Sequence, residues 1–191
     1  MRLDILDNGH GLGTKALLGM IRVVSRQPVV DAVKLALYRK DFYGAGALTH
    51  EAMRGPSEWS VGERELMAAY IALADASPFC VAAHTATSGQ WYGDPDKVTA
   101  VLADLDTAPI DEPLRATLRL LGKLSQADAV DEDDIRDVLS AGVSPAQIKD
   151  ALAVGFAFNI TARLANAFDF DLATPAAMEA GAKHLLKRGY R

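Results

Sequence analysis

The sequence predicts an all-α fold, and three features carry that expectation. Helix-start punctuation recurs: Ser77-Pro78, Asp94-Pro95, Ser144-Pro145 and Thr174-Pro175 each pair a capping side chain with a proline suited to the first helical position. There the cap oxygen satisfies an orphan backbone N–H, and proline has no N–H to waste. Between these signals the apolar residues follow the helical period. Asn-Gly or Asp-Gly turns between alternating strands are missing, since Asn8-Gly9 leads through further glycine into a helical stretch.

Taken in order, the first sixty residues are looser. They hold a helix near Thr14 to Arg26, another near Val29 to Tyr38, and a glycine-rich segment, Gly44-Ala45-Gly46. Ser60-Val61-Gly62-Glu63 matches a capping box and opens a helix from about Val61 to Ala76, with Leu66, Ala69, Tyr70 and Leu73 on one face. Ser77-Pro78 opens the next helix. Leu114, Leu118, Leu121 and Leu124 mark another. Ile135, Val138 and Leu139 follow the acidic run Asp131-Glu132-Asp133-Asp134, which reads as a solvated helix N-terminus complementing the dipole. Ser144-Pro145-Ala146-Gln147 is a second capping box. It starts a long helix reaching about Phe168, with Ile148, Leu152, Gly155, Phe156 and Asn159 as its expected packing face. With no internal repeat or low-complexity linker, the expected organisation is one helical domain over 1–191: N-terminal helices or an arm (1–59), a core carrying the chemistry (60–170) and a C-terminal helix (171–191).

Composition narrows the function. Half of the 191 residues are hydrophobic, enough for a sizeable core. The net charge is −5 and the basic residues are scattered, which excludes the basic stripe that nucleic acid or an anionic membrane requires. No run approaches the ~18 apolar residues of a membrane span, and Met1-Arg2-Leu3-Asp4 does not begin a signal-peptide core. A single cysteine, Cys80, precludes a disulfide within the chain, so a cytoplasmic, reducing location is expected.

The chemistry concentrates in Ser77-Pro78-Phe79-Cys80-Val81-Ala82-Ala83-His84. With Ser77 as N-cap, Cys80 takes the third helical position, near unpaired N–H groups and the positive end of the dipole, both of which favour thiolate. His84 falls one turn later on the same face, placed to take the thiol proton. The bland alternative is a cysteine that packs as a small hydrophobe and a histidine that is a satisfied core residue, and from spacing alone it is the commoner case. A metal site at Cys80, His84 and Glu65 lacks the paired-cysteine spacing of zinc centres. Asn159 and Arg163, four apart on an apolar helix, read first as a hydrogen-bond cluster between helices or subunits. Trp59, Trp91 and Tyr92 read as packing.

The stretch from Gly62-Glu63-Arg64-Glu65-Leu66 through Cys80-Val81-Ala82-Ala83-His84 resembles the core motif of the carboxymuconolactone decarboxylase and alkylhydroperoxidase D superfamily: a glutamate on one helix, then Cys-x-x-Cys-x-x-x-His at the start of the next. Glu65 corresponds to the proton-relay glutamate, Cys80 to the second cysteine and His84 to the histidine. Met53-Arg54-Gly55-Pro56-Ser57 and Asn159, Arg163, Leu164 and Asn166 resemble segments of the peroxidase-related branch. The resemblance covers roughly Met53 to Phe168. It implies an alkylhydroperoxidase D-like helical bundle, reduction of an organic peroxide by Cys80, an external thiol reductant, a homo-oligomer, and no metal, flavin or nucleotide. The glycines of Gly9 to Gly13, lacking a preceding strand, agree with the last point. Two departures stand out. Ser77 replaces the first motif cysteine, so oxidised Cys80 has no resolving partner in its own motif. Phe79 sets an apolar ring beside the sulfur, opposing thiolate formation. Two other readings remain: a cofactor-free lactone decarboxylase or isomerase using His84 and Arg163, and a non-catalytic oligomer with an inert cysteine.

Overall fold

A computed structural model describes residues 4–40, 46–126 and 129–190. Gly44 and Ala45 of the glycine-rich segment, and Met1 to Leu3, lie outside the described residues, and Gly46 begins a helix. Among the described residues there are eleven helices and no strand. They are α1 (Ile5–Asn8), α2 (Leu12–Ser25), α3 (Asp31–Tyr38), α4 (Gly46–Arg54), α5 (Val61–Ala74), α6 (Pro78–Tyr92), α7 (Pro95–Ala103), α8 (Glu112–Ser125), α9 (Glu132–Ser140), α10 (Pro145–Ala167) and α11 (Pro175–Arg188).

Local chemistry sets most of the boundaries. Ser60 and Ser144 form complete capping boxes with Glu63 and Gln147, while Asp94 and Thr174 cap α7 and α11 through Lys97 N–H and Ala177 N–H. The acidic run forms a third box, Asp131 with Asp134, at the start of α9. Helix α5 stops at Ala74, two residues short of expectation, because Ala76 turns left-handed (φ 48°). Ser77 N–H then reaches back to the Ala72 carbonyl at 2.9 Å, a bond that closes the helix end.

Helix α5 is the hub, buried from Gly62 to Ala72 on nearly every side and packed most extensively against α6, with α10 and α8 also against it. Helix α11 covers α6. On α10 the expected face is only partly the packing one, since Ile148 and Gly155 are buried but their larger companions are not. Leu152 and Phe156 are 39% and 57% exposed, whereas Ile148, Ala151, Gly155, Phe158, Ala162 and Ala165 are buried at alternating spacings of three and four. Small residues carry that contact because they admit close approach, and a Cβ on Gly155 would meet Leu121 Cδ2 at 3.2 Å. Leu73, Leu124 and Leu139, placed on packing faces by their spacing, are likewise exposed. Helix α2 has no buried residue at all, and its Leu12, Val23 and Val24 are more than three-quarters exposed.

Candidate active site

The tight turn at Ala76 lays α6 antiparallel along α5. Ser88 Oγ donates to the Gly62 carbonyl at 3.0 Å, and nearer the turn His84 faces Glu65. At this crossing a Cβ on Gly62 would collide with the Trp91 indole, so a side chain fits there only if Trp91 moves.

Glu65 is wholly buried. Three side chains converge on its carboxylate. His84 Nδ1 lies 2.7 Å from Oε2, Arg54 Nη2 donates to Oε1 at 2.6 Å, and Tyr190 Oη sits 3.0 and 3.1 Å from the two oxygens. Burial pushes the carboxyl up, but the hydrogen bond and charge of His84, with Arg54 behind them, outweigh it. The net position is below the ordinary 4.5. Glu65 is therefore a carboxylate that accepts from His84 Nδ1–H, which leaves Nε2 as the ring nitrogen outside that bond. Burial first, and then the Glu65 charge, push the Tyr190 phenol well above 10.0, so it is the neutral donor of the set.

Each member is locked from behind. The His84 and Phe158 rings pack edge to face with centroids 4.4 Å apart and planes at 82°, and Tyr190 lies roughly parallel to the His84 ring at 6.5 Å. Arg54 also donates to the Met53 and Leu185 carbonyls, and its guanidinium lies 5.2 Å over the Tyr190 ring. Buried Arg64 donates to the Ala52 and Gly55 carbonyls, pinning the end of α4 that carries Arg54. Tyr190 arrives by a sharp turn. Gly189 has φ 68°, a Cβ there would lie 2.6 Å from the His50 ring, and Tyr190 N–H donates to His50 Nδ1 at 3.3 Å.

Cys80 is the third residue of α6, one turn before His84 on the same face, and is 2% exposed. Its neighbours in the core are Ala72, Phe79, Ala162, Ala165 and Met178. Among the described residues no hydrogen bond joins it to His84. Burial pushes its thiol above 9.0. The Ser77 hydroxyl pulls the other way, and the Asp75 charge adds to the rise. Of the effects acting on the thiol, desolvation by burial is the largest. Ser77 does not cap α6 as expected. With φ −107° and ψ 91° it is buried, and its hydroxyl makes no cap hydrogen bond.

The other singled-out residues lie elsewhere. Asn159 Nδ2 donates to Ser125 Oγ at 3.2 Å and Arg163 Nη2 to the Ser125 carbonyl at 3.3 Å, an interhelical cluster at the end of α8, and Arg163 Nε also pairs with Asp75 at 3.5 Å. Trp59 is core, with its indole N–H on the Gln147 carbonyl. Trp91 is half exposed over Gly62, and Tyr92 carries Lys97 Nζ 4.1 Å over its ring. Among the described residues no group of His, Cys, Asp and Glu could hold a metal ion. Sequence reasoning missed Tyr190, 125 positions from Glu65, and noted Arg54 only as part of a lead-in. A glycine and tyrosine closing a helix with a basic last turn were the only local signal.

No family model matches the chain, and no curated protein matches it in sequence. Solved structures do match. An uncharacterized peroxidase-related protein from Silicibacter sp. TM1040 superposes with a TM-score of 0.77 at 24% identity, covering 93% of each chain. A second, described as an alkylhydroperoxidase AhpD core and an uncharacterized peroxidase-related protein from Ralstonia eutropha JMP134, gives 0.73 at 22% identity, covering 91% of this chain and 92% of that one. The chain has the alkylhydroperoxidase D-like all-helical fold, as its motif led us to expect.

Proposed function

We propose that this chain is a one-cysteine thiol peroxidase acting on organic hydroperoxides. The observation that carries the reading is the buried 2.7 Å contact between His84 Nδ1 and Glu65, which leaves Nε2 uncommitted to that carboxylate on a residue one helical turn from Cys80. In the proposed reaction Nε2 takes the Cys80 proton and the thiolate attacks the terminal peroxide oxygen. The O–O bond breaks, and the leaving alkoxide takes the proton from His84, giving an alcohol and a Cys80 sulfenic acid. Two equivalents of an external thiol then restore the cysteine, the first releasing water and the second a disulfide, because Ser77 cannot resolve it. A reducing, cytoplasmic setting and association with copies of the same chain belong to this reading. Exposed Leu152, Phe156 and Ile160 support the association.

The test is stoichiometric cumene hydroperoxide followed by intact-protein mass and sulfenic-acid labelling. Gain of one oxygen at Cys80, reversed by thiol and absent in Cys80→Ser, is expected. Absence of any adduct in the native protein sinks the peroxidase reading. It would leave the non-catalytic alternative, which the 2% exposure and raised thiol of Cys80 favour. The lactone reading is weaker, because Arg163 is engaged with Asp75 and Ser125 rather than with the His84 cluster.

A further inference from the structure

Of the three donors on Glu65, two have evident duties: Arg54 balances its charge, and His84 receives its direction. Tyr190 has neither. Its hydroxyl sits almost equidistant from the oxygen that holds Arg54 and the oxygen that holds His84, at 3.0 and 3.1 Å. The chain reverses at Gly189 to place it there, the His50 ring holds its backbone N–H, and Arg54 lies over its ring. A ring without the hydroxyl would fill the same space, so the hydroxyl itself needs an account.

We propose that Tyr190 is a positioning residue of the Glu65–His84 pair, whose hydroxyl draws negative charge off the carboxylate and so limits how tightly His84 holds a proton taken from Cys80. The proposal rests on the reading that His84 serves the Cys80 thiol. Each donor on a carboxylate spreads its charge, and what Tyr190 takes is not available at Oε2 to stabilise an imidazolium. The step it governs is a proton transfer alone: the Cys80 S–H bond breaks, an N–H bond forms at His84 Nε2, and thiolate and imidazolium result. Loss of the phenol favours that ion pair. A stronger phenol donor disfavours it.

The experiment is the second-order rate of Cys80 alkylation by iodoacetamide in wild type, Tyr190→Phe, and a protein carrying 3,5-difluorotyrosine at position 190, each at neutral pH and well above the ordinary thiol value of 9.0. Tyr190→Phe should alkylate about 3-fold faster than wild type at neutral pH and at the wild-type rate at high pH, where the thiolate forms without His84. Difluorotyrosine, a near-isosteric and stronger donor, should slow the neutral-pH rate by a similar factor. Equal acceleration at both pH values in Tyr190→Phe indicates loosened packing and overturns the proposal, as does a neutral-pH rate unchanged in both variants. Should Tyr190→Phe fail to fold, as read by helical circular dichroism, the fluorinated protein decides alone: an unchanged or faster neutral-pH rate overturns the role. A parallel cumene hydroperoxide assay separates the two claims. If wild-type Cys80 is never oxidised while the alkylation rates move as stated, the peroxidase reading falls and the role of Tyr190 toward the thiol stands.

Discussion

A carboxylate with no solvent contact survives only where its charge is met on the spot, and Glu65 is such a group. Replacing it by glutamine removes the charge and leaves Arg54 buried without its counter-ion. The expected cost is about 3 kcal/mol, the lower end for breaking a buried pair, measured as a shift in urea midpoint. The pH dependence has a definite sign. Because the folded carboxyl lies below its ordinary 4.5, its stabilisation is complete above that value and is lost as pH falls through the depressed one. Wild type should therefore lose stability as the pH is taken below 4.5, and Glu65→Gln should lose markedly less over the same descent. Equal acid sensitivity in the two proteins would show that the carboxylate is not what the fold relies on. Cys80 gives the opposite kind of test. With burial raising its thiol above 9.0, native alkylation should be slow at neutral pH and should climb only beyond that value, and Ser77→Ala should push the climb further up. Rapid labelling of the folded protein at neutral pH would contradict the burial argument.

Helix α5 shows what an element must satisfy to present such a residue. Its start is fixed by the Ser60–Glu63 box, so Ser60→Ala should cost about 1 kcal/mol. Its crossing with α6 is fixed by Gly62, where the Trp91 indole occupies the space of a side chain. Gly62→Ala should cost about 1 to 3 kcal/mol as an overpacked contact and lower the thermal midpoint; an unchanged midpoint would mean that Trp91 swings aside freely. These two devices differ in legibility for a physical reason. A cap is a bargain among four consecutive residues, so Ser60, Asp94, Ser144 and Thr174 were readable in the sequence. Glu65 was legible as a partner for this site only through the resemblance of its motif, because a lone carboxylate beside Arg64 carries no local sign of burial. Tyr190 lies 125 positions from Glu65 and leaves no periodic trace. On α10 Ile148 and Gly155 were placed correctly but Leu152 and Phe156 were not, because Ala151, Ala162 and Ala165, small enough to let helices approach, carry the contact that the larger pair was expected to make.

Across the whole molecule, apolar area on two helices stays uncovered by the described residues. Leu152, Phe156 and Ile160 recur one turn apart along α10, and they are 39%, 57% and 48% exposed. Helix α2 adds Leu12, Met20, Val23 and Val24 on a segment with no buried side chain. Single exposed apolar residues are ordinary, but a stripe along a helix is a surface to be covered. Each large side chain covered by a second copy contributes roughly 25 cal/mol per Å2 of apolar area removed from water. Copies of this chain should therefore associate, with a solution mass by light scattering that is a multiple of the 20.4 kDa chain. Phe156→Asp places a charge at the most exposed of the three α10 positions and should return the mass toward one chain without loss of helix content. Val24→Asp applies the same test to α2. If only the α2 variant dissociates, the arm rather than α10 makes the contact. A wild type that runs as a monomer at every concentration would mean that neither surface serves self-association, and the oligomer expected from the sequence would be withdrawn.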